Sequence, residues 1–197
     1  MFGKTVAAGA FACVLAVATA HADDAAAAAQ KQQEMEMWTK MAAPSEAHKE
    51  LAKLAGTWNT VVTMWMEPGA EPQVSNGVSE NKMVLDGRWL EQRYNGTFMG
   101  QPFQGVGFTG YDNFKKQYLG TWMDTASTSA MNTTGKREAD GKLTFTGTMD
   151  DPMTGKSLPM KEVMTLVDAD HHNFEMWMTG PDGKMMKTME IQYTRKK

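Results

Sequence analysis

The chain has 197 residues, with 20 Lys and Arg against 23 Asp and Glu, and a formal net charge of −3. That mild acidity, with no basic block except Arg195-Lys196-Lys197, argues against nucleic acid or anionic lipid as a partner. The single cysteine, Cys13, excludes a disulfide-stapled fold, so the domain must be held by its own core.

Lys4 supplies a positive n-region, Thr5 to Thr19 an apolar run, and Ala20-His21-Ala22 a small-x-small cleavage pattern before Asp23. Together they predict a signal peptide over residues 1–22 and export to the periplasm or beyond. The run falls short of the roughly 20 apolar residues that a membrane-spanning helix needs, so no span is expected in the mature chain. Reading Cys13 as an acylated lipoprotein residue fits poorly, because apolar sequence continues past it and Ala10 stands at the leucine position. Residues 23–44 are rich in Ala, Gln, Glu and Met and hold no stable apolar stripe, which predicts a frayed helix or flexible tether. Pro44 ends it. Ser45 then N-caps a second helix that stops at Gly56, with Leu51, Leu54 and Ala55 on one side to seat it on the domain of residues 45–197.

After Trp58 the apolar period changes to two. Ten strands are predicted, at 58–66, 74–85, 88–96, 103–111, 116–124, 127–136, 142–149, 157–167, 172–179 and 185–195. Asp86-Gly87 is the strongest turn signal, supported by Asn95-Gly96, Asp112-Asn113, Asp140-Gly141 and Pro181-Asp182-Gly183. Ten strands in series with short turns predict an all-β, antiparallel up-and-down barrel, wide enough for a small ligand. Gly56-x-Trp58 on the first strand and Arg195 on the last resemble the seam of a lipocalin-like (calycin) barrel. The resemblance implies that Arg195 caps the Trp58 ring over the closed end.

Several stretches together resemble a bacterial family catalogued as domain of unknown function 1579. They include His48-Lys49-Glu50-Leu51 through Trp58, Met64-Trp65-Met66-Glu67-Pro68-Gly69, Gly100-Gln101-Pro102-Phe103 through Tyr111-Asp112, and Thr121-Trp122-Met123-Asp124. Asp150-Asp151-Pro152, Phe174-Glu175-Met176 and Lys187-Thr188-Met189-Glu190-Ile191 through Arg195 continue the pattern. The resemblance covers residues 45–197 and implies a lipocalin-like barrel, with no activity to carry over.

The 19 methionines invite two readings. Met64/Met66 and Met176/Met178 are Met-x-Met pairs, whose thioethers share a strand face roughly 6.6 Å apart. Thioethers are soft ligands that select Cu(I), so a periplasmic copper protein is one reading, with His172 as an auxiliary ligand. The other, favoured, is that methionine lines an adaptable apolar pocket. In a meander the strands at 58–66 and 172–179 are not neighbours, so the two pairs need not converge.

The last hairpin sets a sharper expectation. A three-residue loop at Pro181-Asp182-Gly183 puts Trp177 opposite Lys187 and Glu175 opposite Met189. With Met185, Met189, Ile191, Tyr193 and Arg195 pointing inward, Glu175 and Trp177 would then line the interior, and Glu175 would anchor a ligand's polar end. A two-residue loop instead leaves Glu175 and Glu190 in solvent. Phe174, Met176 and Met178 are also candidate lining residues, and only one of the two sets can face in. Trp122 and Asp124 share a face and suit an aromatic wall with a polar contact, or a strand end whose Asp begins a turn. Trp65, at the opposite parity from Trp58, is expected outside the barrel or under the tether.

Asp168-Ala169-Asp170-His171-His172 has metal-ligating residue types but reads as a turn between strands. Nitrobindin-type barrels hold haem through one histidine, yet no matching motif surrounds His172. Asp150 to Gly155 lacks calcium-loop spacing and reads as a turn. No cofactor is required. The nucleophile elbow, the phosphate-binding glycine loop and the His-Glu-x-x-His zinc motif are all absent from the sequence. The expected function is non-covalent binding of a small apolar or amphipathic molecule, with copper binding and a filled, purely structural barrel as alternatives.

Overall fold

The computed structural model describes residues 12–67, 69–151, 154–180 and 182–197, with side chains from residue 24 onward. Most of the expected signal peptide, residues 1–11, lies outside the described residues, as do Pro68, Pro152, Met153 and Pro181. The chain divides into two units at Ala43/Pro44. The first contains α1 (Ala12–Ala42), a continuous helix of 31 residues. Of the two alternatives for residues 23–44 the helix forms: with no Gly or Pro between residues 12 and 43, the Ala-, Gln- and Glu-rich run propagates helix, with Gln30–Glu34 and Gln32–Glu36 side-chain bonds along it. Among the described residues no helix is long and apolar enough to cross a membrane.

The second unit opens with α2 (Glu46–Ala52). Ser45 caps it, and the His48 side chain at the third helical position accepts the Ser45 backbone N–H at 2.9 Å. Ten strands follow: β1 (Gly56–Met64), β2 (Gln73–Val84), β3 (Trp89–Phe98), β4 (Gln101–Asp112) and β5 (Gln117–Asp124), then β6 (Met131–Arg137), β7 (Leu143–Asp151), β8 (Lys156–Leu166), β9 (His171–Thr179) and β10 (Met185–Arg195). Each pairs antiparallel with the next, and β1 pairs with β10, so the sheet is a closed up-and-down barrel. Closure leaves no sheet edge exposed.

Two turn assignments move. Asn95-Gly96 lies inside β3, which runs on to Phe98, and the hairpin is made by Met99-Gly100, both with positive φ (51° and 76°). Gly96 has a packing role there, since a Cβ would strike the Tyr94 ring. β6 begins at Met131, not residue 127, because residues 125–130 form a loop. In that loop Asp124 accepts the Ala126 N–H, and Ser127 accepts the Ser129 N–H.

The core is concentrated at one end. Leu51 and Leu54 insert there among Leu90, Tyr118, Leu143 and Phe145. Trp58 is fully buried beside them and donates its indole N–H to the Leu54 carbonyl at 2.9 Å. The Arg195 guanidinium lies 4.0 Å from the Trp58 ring centroid and donates to the Ala55, Lys53 and Ala169 carbonyls. Gly56, at φ 133°, leaves the space that this guanidinium occupies. Carbonyls at the frayed end of α2 thus find donors from the far end of the chain.

Candidate functional site

Period-two alternation turns one face of every strand inward, and the inner faces enclose a cavity of about 790 Å³. Small-molecule pockets span roughly 300–1,000 Å³. The cavity runs from Leu54 and His172 at the closed end to Phe98, Asp124 and Asp150 at the opposite rim. Its lining is mainly apolar, and six of the lining residues are methionines: Met64, Met131, Met149, Met164, Met176 and Met189.

Trp122 and Asp124 are both in this wall. The indole N–H donates to the Asp124 carboxylate at 2.7 Å, and the second carboxylate oxygen accepts the Ala126 N–H. The ring is seated over β4, where Gly105 and Gly107 leave no Cβ to hold it off. Met64, Phe174 and Met176 also line the cavity. Met66 does not: it lies beyond the end of β1 and is exposed. Met178 is not in the lining either; it lies opposite Met160 and Met186, toward the rim.

Glu175 and Trp177 are outside, a correction with a clear cause. The loop does set Trp177 opposite Lys187, but a bulge at Thr188 then shifts the register by one. Glu175 therefore faces Glu190, and Met176 faces Met189. One extra residue sends Phe174 and Met176 inward and Glu175 outward. On the outer face Lys187 pairs with both Glu175 and Glu190 and sits over the Trp65 ring, while Lys161 sits over Trp177. Glu175 is thus part of a surface ion cluster and cannot anchor a guest.

The lumen has a different carboxylate. Glu162 on β8 lines the cavity between its register partners Phe145 and Met176. Among the described residues its one hydrogen-bond donor is the Thr133 hydroxyl, at a long 3.4 Å. Burial pushes its pKa up to about 7. The sequence carried a signal for it: Met160, Glu162 and Met164 alternate on one face of β8, and the methionines mark that face as inner.

His172 is not in a turn; it is the second residue of β9 and is buried at the closed end. Its ring packs 4.4 Å from Trp58 and 4.0 Å from Tyr193. Its Nδ1 finds no hydrogen-bond partner, and burial followed by the Arg195 charge lowers its pKa to about 4. Asp168 and His171 pair with each other in the preceding turn. Among the described residues no group of three His, Cys, Asp or Glu side chains could hold a metal ion.

Thioethers do gather. Barrel closure makes β10 the neighbour of both β1 and β9, so Met64 and Met176 both stand opposite Met189. Glu162 continues that row from β8. As expected, β1 and β9 are not neighbours and the two Met-x-Met pairs do not meet as pairs, but one member of each, Met64 and Met176, flanks Met189 on the strand between them.

No curated protein matches the chain. A solved structure of a redesigned β-barrel is similar at 17% identity and a TM-score of 0.38, over 75% of this chain and 95% of that one. Residues 43–195 match the family described as a protein of unknown function (DUF1579), and the chain belongs to that family.

Proposed function

We propose that this protein is exported and binds a small, largely apolar or amphipathic molecule non-covalently inside its barrel. The observation that carries the reading is the cavity of about 790 Å³, hollow where a structural barrel would be filled with side chains. Flexible thioethers suit a guest whose shape the wall must follow, and Trp122 and Phe174 supply flat apolar contact. Native mass spectrometry of the protein taken from its own compartment, before and after gentle denaturation, tests this. An organic mass released on unfolding supports a carrier; an empty chain that also takes up no apolar dye ends the reading.

A second reading rests on the Met64–Met189–Met176 row, which supplies three soft donors from adjacent strands on the inner wall. Cu(I) titration against a chromogenic competitor, with Met64→Leu and Met176→Leu, separates the two. Copper binding lost in the variants with apolar-dye binding retained favours the metal. No copper competition in the unaltered protein removes it.

A further inference from the structure

Charge in the lumen is one-sided. The lining includes four carboxylates, Asp124, Asp150, Asp151 and Glu162, and among the described residues that line the cavity there is no Lys or Arg. Three of the four are at the rim, on hydrogen bonds from Trp122, Ser157 and Thr154, and Lys156 stands opposite Asp151 in the β7–β8 register. Glu162 is different: it lies within the barrel, away from the rim.

The groups around Glu162 leave its charge uncompensated. Its neighbours along the wall are Phe145 on β7 and Met176 on β9, with Met160 and Met164 on its own strand. Thr133 on β6 is a neutral donor at long range. Tyr193 on β10 is the other titratable group in its field; burial raises its phenol, which accepts from Gln92. His172 stays neutral, and Arg195 is engaged over Trp58 and with the Lys53, Ala55 and Ala169 carbonyls. A carboxylate so placed lacks both a counter-ion and a full set of donors, and an incoming cation supplies both.

We propose that the guest is a cationic amphiphile, an ammonium head on an apolar body, whose head pairs with Glu162 while its body lies along the methionine and aromatic wall. The proposal rests on the lumen being a ligand pocket, as argued above. It excludes fatty-acid-like anions, which would meet a carboxylate and no cation. The empty-state pKa of about 7 fits: the head binds the ionised form, so binding expels a proton and weakens as the medium becomes more acidic.

The test uses three probes of one chain length on the mature protein: dodecylammonium, dodecanol and dodecanoate, by calorimetry at pH 8. The ammonium compound is expected to bind at least about tenfold tighter than the alcohol, and dodecanoate weaker than both. Glu162→Gln is expected to bring the ammonium compound down to the level of the alcohol and leave the alcohol unchanged. In the unaltered protein, ammonium affinity should fall by up to about tenfold per pH unit below 7, with the alcohol flat. That series decides the matter even if the variant does not fold. Equal or tighter binding of dodecanoate, or a flat ammonium profile, overturns the cationic guest and leaves the pocket intact. Failure of all three probes overturns the pocket itself.

Discussion

The two ends of the barrel are built on opposite terms. At the closed end α2 drives Leu51 and Leu54 into the core, Trp58 is fully buried, and Arg195 is bound to three backbone carbonyls. Along the lumen the same strands present long flexible side chains to open space, with a carboxylate among them. Dense packing at one end stabilises a wall that is left under-packed elsewhere. The contrast is testable because the same kinds of substitution should cost very different amounts in the two regions.

The largest effect belongs to the closed end. Trp58→Ala removes a fully buried ring, its bond to Leu54, and the surface on which Arg195 and His172 stack. The expected loss is about 3–5 kcal/mol in urea unfolding, with little loss of dye binding in the fraction that stays folded. A loss below about 1 kcal/mol would mean that this end does not hold the barrel closed.

Next comes the lumen carboxylate, where removing a charge should stabilise. Glu162 has a folded pKa of about 7 against 4.5 as its ordinary value, so the folded state holds the proton more firmly. Its contribution is fully present below pH 4.5 and is lost as pH rises through 7. Glu162→Gln is therefore expected to be near neutral at pH 4 and stabilising by about 2–3 kcal/mol at pH 8. His172 runs the other way. With its pKa lowered from 6.5 to about 4, its contribution is present above 6.5 and lost as pH falls toward 4. The two shifts are of similar size and act in opposite directions over the same window, so they nearly cancel in the unaltered protein. Glu162→Gln, by contrast, should gain stability as pH rises from 4 to 6.5, and melting temperature against pH for protein and variant checks both signs.

A smaller effect tests the wall's rigid part. A Cβ at Gly105 would collide with the Trp122 ring, so Gly105→Ala must move the indole off β4 and strain its bond to Asp124. About 1–3 kcal/mol is expected, together with a shift in tryptophan fluorescence that Gly87→Ala, whose Cβ meets nothing, should not produce.

Strand number, order and closure were legible because alternation and turn chemistry are local, and the Gly56-x-Trp58 and Arg195 pair names the two strands that meet. Side-chain direction on β9 was not. It depends on the single extra residue at Thr188, whose carbonyl accepts the Trp65 N–H at 2.9 Å, and nothing in Lys187-Thr188-Met189 announces that contact. The lumen carboxylate was missed for a different reason. Met160-x-Glu162-x-Met164 does carry period two, but Glu175 stands in the same kind of setting, between Phe174 and Met176, in a stretch shared with the family. The methionine row was hidden by chain order: β1 and β9 lie far apart in sequence, and only closure through β10 makes them flank one strand.

The most direct comparison of the two regions sets a large effect against the smallest one expected, that of Met189→Ala. Leu51→Ala and Met189→Ala each truncate an apolar side chain. Leu51 has no exposed surface, so its removal leaves a cavity and should cost about 2–5 kcal/mol. Met189 already borders the lumen, so truncation enlarges an existing space and forfeits contacts on its wall side only. About 1 kcal/mol or less is expected. The two should also differ in how a bound probe responds: filling the lumen cannot restore what Leu51→Ala removes, whereas a dodecyl chain can occupy part of the space left by Met189→Ala. Unfolding curves with and without dodecanol read this out. Equal costs for the two truncations would mean that the wall at β10 is packed as tightly as the closed end, and that the lumen is smaller in solution than its lining suggests.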